Sequence, residues 1–290
     1  MIRTIRVEEI TKNIKEMCIE ANHFLSPDMA EAMKQAQQNE KSPLGKQILG
    51  QLQENLEIAA QDRIPICQDT GMAVVFLEIG QDVHFEGGSL EEAVNEGVRQ
   101  GYVEGYLRKS VVADPILREN TKDNTPAIIH YSIVPGDKVT ITFAPKGFGS
   151  ENMSRIFMLK PADGIDGVKN AILTAVKDAG PNACPPMVVG VGVGGTFEKC
   201  AILAKKALTR PVNEHSGIPY VADLEKEMLE KYDTLMSTNY FKENVKEIFV
   251  GSYPFYNYMG VMMEIGEQGQ NVWIDQDKNG TLGIYAINAG

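Results

Sequence analysis

Three polar segments hold most of the side chains in this sequence that could do chemistry. Pro65-Ile66-Cys67-Gln68-Asp69-Thr70-Gly71 sets a thiol, an amide, a carboxylate and a hydroxyl in a row. A thiolate there could ligate a metal or act as a nucleophile. A nucleophile needs a neighbouring base, and no histidine lies close in sequence. The plain alternative is a turn in which Asp69 and Thr70 bond loose backbone groups. Lys146-Gly147-Phe148-Gly149-Ser150-Glu151-Asn152 could bring backbone N–H groups up to an anion, or be an ordinary glycine turn. Asn182-Ala183-Cys184-Pro185-Pro186 leads into Met187-Val188-Val189-Gly190-Val191-Gly192-Val193-Gly194-Gly195. Gly190, Gly192 and Gly195 match G-x-G-x-x-G between a strand and a helix. A second strand ending in an acid should follow about twenty residues on. The chain instead reads Arg210-Pro211-Val212-Asn213-Glu214-His215, too polar and proline-bearing for one. A nicotinamide site on Gly190–Gly195 is therefore the weaker reading.

His23, His84, His130 and His215 are scattered and carry no zinc-ligand spacing. None of the four cysteines stands in C-x-x-C spacing. Cys18 and Cys200 occupy apolar helical positions and read as buried thiols. Arg108 reads either as a cation complementing the C-terminus of a helix or as a clamp for a carboxylate.

The elements that must position these groups follow from periodicity. Val7–Ala21 carries an apolar helical stripe, and Ser26-Pro27 and Ser42-Pro43 begin two more helices. Met72–Ile79 reads as a buried strand, and Ser89 caps a long helix running through Arg108. Ala127–Ile133 and Lys138–Phe143 alternate around Pro135-Gly136-Asp137, a hairpin signal. Helices are expected over Gly164–Ala179, Thr196–Leu208 and Asp223–Tyr232, and a strand over Met187–Val193. The fold class is α/β, a helical N-terminal part followed by a mixed helix and sheet region.

Composition narrows the function classes. The formal net charge of −11 over 290 residues opposes a nucleic-acid partner, which calls for a basic surface. Hydrophobic residues at 43% argue for a packed core rather than disorder. No apolar run is long enough for a membrane span, and the charged start has no signal-peptide pattern. The expectation is a cytoplasmic protein with reduced thiols.

Taken in order, the segments PICQDTG (65–71), GYLRKSVVADP (105–115), DNTPAIIH (123–130), PKGFGSENMSR (145–155), LKPADG (159–164), NACPPMVVGVGVGGTFEK (182–199) and LAKKALTRP (203–211) resemble the α subunit, or N-terminal part, of the class I iron–sulfur hydro-lyases. These are the fumarate hydratases and related tartrate dehydratases. The resemblance covers about residues 5–231. It implies the fold of that α subunit and a hydro-lyase adding water to fumarate or a close dicarboxylate. It also implies a [4Fe–4S] cluster on three cysteines, and a separate β subunit that completes the site in a homo- or hetero-oligomer. Carried over by residue, Cys67 and Cys184 match cluster ligands. Gln68, Asp69 and Arg108 match substrate positions, with Asp69 and Arg108 catalytic. Gly147, Gly149 and Ser150 match the loop whose backbone approaches the substrate.

The tail departs from the pattern. The family's third cysteine, and a histidine before it, are missing: no Cys or His follows Lys231. Two explanations stay open, a chain whose cluster is incomplete or absent, or a tail that is not the native one. The expected organisation is one hydro-lyase domain over residues 1–231, open to division into two lobes, and an atypical segment over 232–290 with a hairpin. Against the enzyme stands a non-catalytic assembly subunit without a cluster.

Overall fold

The computed structural model describes residues 2–183 and 187–235, and the backbone of strands at 245–252, 259–266, 270–276 and 282–288. In chain order the elements begin with β1 (Arg3–Arg6), α1 (Val7–His23), α2 (Pro27–Asn39), α3 (Pro43–Asp62), β2 (Met72–Gly80) and β3 (Val83–Glu86). There follow α4 (Leu90–Glu104), β4 (Ile128–Val134), β5 (Val139–Lys146), the single turn α5 (Phe148–Glu151), β6 (Arg155–Leu159) and α6 (Gly164–Ala179). The remainder is β7 (Met187–Val193), α7 (Phe197–Ala207), α8 (Pro219–Leu235), β8 (Val245–Ser252), β9 (Met259–Gly266), β10 (Gln270–Gln276) and β11 (Leu282–Asn288). The fold is α/β, as the periodicity predicts.

The chain divides into two units. The first comprises Met1–Ser26, Glu54–Gly147 and Gly269–Ile287. Its sheet has the order β11-β10-β5-β2-β4. Strand β2 is central: Ala73, Val74, Val75, Phe76 and Leu77 are all buried, which is why the strand reads as a continuous apolar run rather than an alternating one. Helices α1 and α4 cover one face, joining Ile10, Ile14, Met17 and Cys18 to Ala73, Val75, Leu77, Val94, Val98 and Tyr102 in one core. The two helices touch through glycines. A Cβ at Gly97 would lie 2.7 Å from Ile14 Cβ, and one at Gly101 would lie 2.5 Å from Cys18 Cβ.

The hairpin expected of Ala127–Ile133 and Lys138–Phe143 is corrected. The turn is present, with Gly136 at φ +103°, but its two strands do not pair with each other. Strand β2 lies between them, parallel to β4 (Val74↔Ile128) and antiparallel to β5 (Met72↔Lys146). The turn wraps around the end of β2: Gly80 N donates to Lys138 O at 2.7 Å and Gln81 N to Val134 O at 2.8 Å. Only a strand that is apolar on both faces takes the buried central place, and β2 is that strand.

The second unit comprises Pro27–Gln53, Phe148–Gln268 and Asn288–Gly290, with strand order β6-β9-β7-β8. Side chains alternate along β7. Val189 and Val191 join the core with Ile172, Val176, Val221, Leu224 and Met228 from α6 and α8. Gly190 and Gly192 face the other way, onto α7, where added Cβ atoms would lie 2.3 Å from Ala204 O and 2.0 Å from Cys200 O. Close strand–helix packing thus accounts for these two glycines without a dinucleotide. Helix α8 begins at Pro219, four residues before the expected start, because proline suits the first helical position. Glu225 on α8 pins the preceding loop, accepting from Arg210 Nη1 at 2.6 Å and Ser216 N at 3.0 Å.

In the tail, β8 and β9, unforeseen in the sequence, flank β7. The segments of the expected hairpin form neighbouring strands β10 and β11; its connecting residues 277–281 lie outside the described residues. No helix among the described residues is long and apolar enough to cross a membrane.

Gly192→Ala forces a methyl group into the backbone of α7. Chemical denaturation is expected to show a loss of about 1–3 kcal/mol, the usual cost of overpacking.

Candidate functional site

The 65–71 segment leaves α3 and enters β2. Its first half is strapped down by backbone groups: Ile66 N donates to Asn22 O at 2.8 Å, and Asn55 Nδ2 donates to Ile66 O at 2.9 Å. Cys67 and Gln68 project outward and are exposed. The Cys67 thiol donates to Gln68 Oε1 at 3.1 Å and accepts from Asp69 N at 3.5 Å. Asp69, half-buried, accepts from Gly71 N through Oδ1 at 3.0 Å, so the turn-forming role predicted for it is real. Gly71 sits at φ +64°, and a Cβ there would lie 2.3 Å from Lys146 O and 2.8 Å from Gly147 N. Only glycine lets β2 start this close to the end of β5.

A face of α4 carries the groups that join this turn to the rest of the site. Asn95, Arg99 and Tyr102 stand at i, i+4 and i+7. The fully buried Tyr102 hydroxyl donates to Thr70 O at 2.8 Å, with Gly71 O at 3.2 Å. Burial pushes that hydroxyl's pKa well above 10, so it stays a donor. Arg99 Nε bonds Asp123 Oδ2 at 3.0 Å, and Asn95 Oδ1 accepts from Ala127 N at 2.8 Å. Asn124, between those anchors, has φ +62° and no exposure. Its Nδ2 donates to Gly71 O at 3.0 Å, while its Oδ1 accepts from Ser110 N at 2.8 Å and Val111 N at 3.0 Å. Thr70 completes the lacing: Arg108 N donates to its Oγ1 at 2.9 Å, and that hydroxyl donates to Arg108 O at 3.2 Å.

Arg108 is therefore fixed by its backbone, with its exposed side chain on a loop bonded directly to the Cys67–Gly71 turn. The helix-dipole reading of Arg108 is corrected. Helix α4 stops at Glu104, because Tyr106 turns to φ +54° and Leu107 N folds back to Tyr102 O at 3.1 Å.

The structure thus joins Cys67, Gln68, Asp69 and Arg108 through Thr70, with Gly147 beside Gly71 in the same unit. Gly149 and Ser150 start the second unit as part of α5, where Ser150 is buried. Cys184 lies outside the described residues. Thr70, Tyr102 and Asn124 were missed as site residues. Nothing in the local pattern around Tyr102 marks its hydroxyl for this place. The signal for Asn124 was Asn-Thr-Pro, a turn sequence in which Asn tolerates positive φ.

Of the other thiols, Cys18 and Cys200 have no exposure, and burial pushes the Cys18 pKa well above 9. Among the described residues no three His, Cys, Asp or Glu side chains gather where they could hold a metal ion. The arrangement in hand offers one accessible thiol, an amide, a carboxylate and a guanidinium on a rigid frame. That set suits a small acid bearing hydroxyl and carboxylate groups. His130 stacks on Phe76 at 5.0 Å, the structural place expected of it.

Asn124→Ala deprives two N–H groups and a carbonyl of their partner and puts alanine at positive φ. It should cost roughly 2–4 kcal/mol in denaturation. His23, buried at the end of α1, has its pKa held below 6.5 mainly by burial. A histidine depressed in the folded state contributes stability above the unfolded pKa and loses it as pH falls. Stability should therefore decline as pH drops below about 6.5. That slope should be shallower in His23→Gln.

Residues 11–236 match the family model described as fumarate hydratase (fumerase). The chain is 41% identical over 233 residues to a putative L(+)-tartrate dehydratase subunit alpha from Methanocaldococcus jannaschii, covering 78% of this chain and 81% of that one. It is 29% identical over 233 residues to an L(+)-tartrate dehydratase subunit alpha from Escherichia coli, covering 79% and 76% respectively. With the family model spanning most of its length, the chain belongs to the fumarate hydratase (fumerase) family.

Proposed function

We infer that this chain is the α subunit of a hydro-lyase that adds water to fumarate to give malate, or to a close dicarboxylate, and is completed by a separate β subunit. The observation that carries the reading is the bonding of Thr70 Oγ1 to the Arg108 backbone, which ties the Arg108 loop to the Cys67–Gly71 turn in a chain of this family. In the dehydration direction a C–H bond next to a carboxylate and a C–O bond break, a C=C bond forms, and water leaves. Arg108 binds one substrate carboxylate through its planar fork. Gln68 offers an amide to the second carboxylate or the hydroxyl. Asp69 belongs to the acid–base network, with Oδ1 held by Gly71 N. Gly147, whose N lies beside Gly71 in the same unit, supplies a backbone N–H.

The relatives' names leave two substrates to compare, fumarate/malate and L(+)-tartrate. A [4Fe–4S] cluster would use Cys67 and Cys184. In the sequence Cys67 and Cys184 stand toward an implied three-cysteine set, and the sealed Cys18 and Cys200 do not extend it. The ligands in hand do not fit a complete cluster, and no step is assigned to one. That deficit specifically favours a second reading, an assembly subunit that binds β without catalysis.

Anaerobic co-production with the β subunit separates the two. The enzyme predicts turnover of fumarate or L(+)-tartrate, and in Arg108→Lys a rise in KM of about tenfold or more, because lysine cannot make the bidentate contact. A complex that forms, carries no iron or sulfide and turns over neither substrate would establish the assembly subunit instead.

A further inference from the structure

The loop that carries Arg108 does not end there. From Lys109 to Thr121 it runs out and back as an ordered finger. Val112 and Asn120 form a β-bridge, Ala113 N donates to Glu119 O at 2.7 Å, and Thr121 N donates to Val111 O at 3.0 Å. Asn120 Nδ2 ties the return limb to Lys109 O at 2.8 Å. At the apex Asp114 builds the turn: its Oδ1 accepts from Ile116 N at 2.8 Å and Leu117 N at 2.7 Å, and its carbonyl accepts from Arg118 N at 2.8 Å. The base is held by Asn124 through Ser110 and Val111.

What this scaffold presents is unusual for a turn. Apex positions normally carry Gly, Asn, Asp or Ser. Here Ile116 is 86% exposed and Leu117 76%. Nothing in the turn requires an apolar side chain at either place, since Asp114 bonds their backbone and not their side chains. Single exposed apolar residues need no explanation. Two adjacent ones on the tip of a hydrogen-bonded finger meet the requirements of an interface anchor: apolar area already in water and little conformational freedom left to lose.

We propose that Ile116 and Leu117 are the anchor by which this chain docks the β subunit, entering an apolar pocket on it. The inference rests on the α-subunit reading above. Two observations select this occupant over others. The finger is continuous with the Arg108 loop and is bonded through Asn124 to Gly71, so whatever seats on its tip is held at a set position relative to Gln68, Asp69 and Arg108. The curated relatives are named as α subunits, and the polypeptide that must arrive at this site is their partner.

The test compares the wild-type chain with Ile116→Ser/Leu117→Ser, each mixed with purified β subunit under anaerobic conditions. Binding is measured by calorimetry, and mass by light scattering. The double variant should melt with the wild-type chain and bind β about 100-fold more weakly or worse. Asp114→Ala, which leaves both side chains but unbuilds the turn, should weaken binding less. If the double variant melts early, Leu117→Ser alone should still show a loss of affinity at unchanged melting temperature. Equal binding by wild type and variant would overturn the docking site while leaving the α-subunit reading intact. A wild-type chain that self-associates through the tip, and becomes monomeric in the variant, would assign the surface to a second copy and also overturn it. A wild-type chain that does not bind β at all would sink the α-subunit reading itself.

Discussion

Buried polar atoms must be paired, and the first unit of this protein is arranged around that demand. Thr70, Tyr102 and Asn124 carry hydroxyl and amide groups into the interior, where an unmade hydrogen bond costs far more than a made one returns. Each is satisfied by backbone from a different stretch of chain: Tyr102 by Thr70 and Gly71, Asn124 by Gly71, Ser110 and Val111, Thr70 by Arg108. The result is a junction where the Cys67 turn, the Arg108 loop and the Asn124 segment cannot shift independently. The candidate groups Gln68, Asp69 and Arg108 all hang on that junction through their backbone.

Close backbone approach is the second constraint, and glycine is its means in both units. Gly97 and Gly101 let α4 approach α1, so that Tyr102 is buried on the same side of the helix as Val94 and Val98, with its hydroxyl on the Thr70–Gly71 turn. Gly190 and Gly192 do the same for β7 and α7. A glycine-rich strand–loop–helix invites comparison with nucleotide-binding folds, yet the glycines here are required by helix and strand atoms of the protein itself. Motif and packing requirement produce the same letters, and only the neighbours distinguish them.

Much of the architecture was legible residue by residue. The helices starting at Val7, Pro27 and Pro43, the buried strand from Met72 and the capped helix after Ser89 all follow from local periodicity and end signals. The two misreadings have different causes. The Pro135-Gly136-Asp137 turn correctly marked a reversal, but the place of β2 between β4 and β5 is a long-range choice made by burial on two faces. The helix continuing to Arg108 was a reasonable extension of its pattern; a positive φ at Tyr106 and the return of Leu107 to Tyr102 ended it earlier.

By itself the sequence determined the α/β class and, through an ordered set of candidate segments, the family. These depend on spacing along the chain, and spacing is local information. Tertiary structure alone decided that Thr70 pairs with Arg108 and that Asn124 bridges two loops. It also turned Ile116 and Leu117 from two apolar letters into the exposed tip of a rigid finger. Those outcomes rest on contacts between residues tens of positions apart, where the need to satisfy buried polar groups selects among partners that local pattern leaves equivalent.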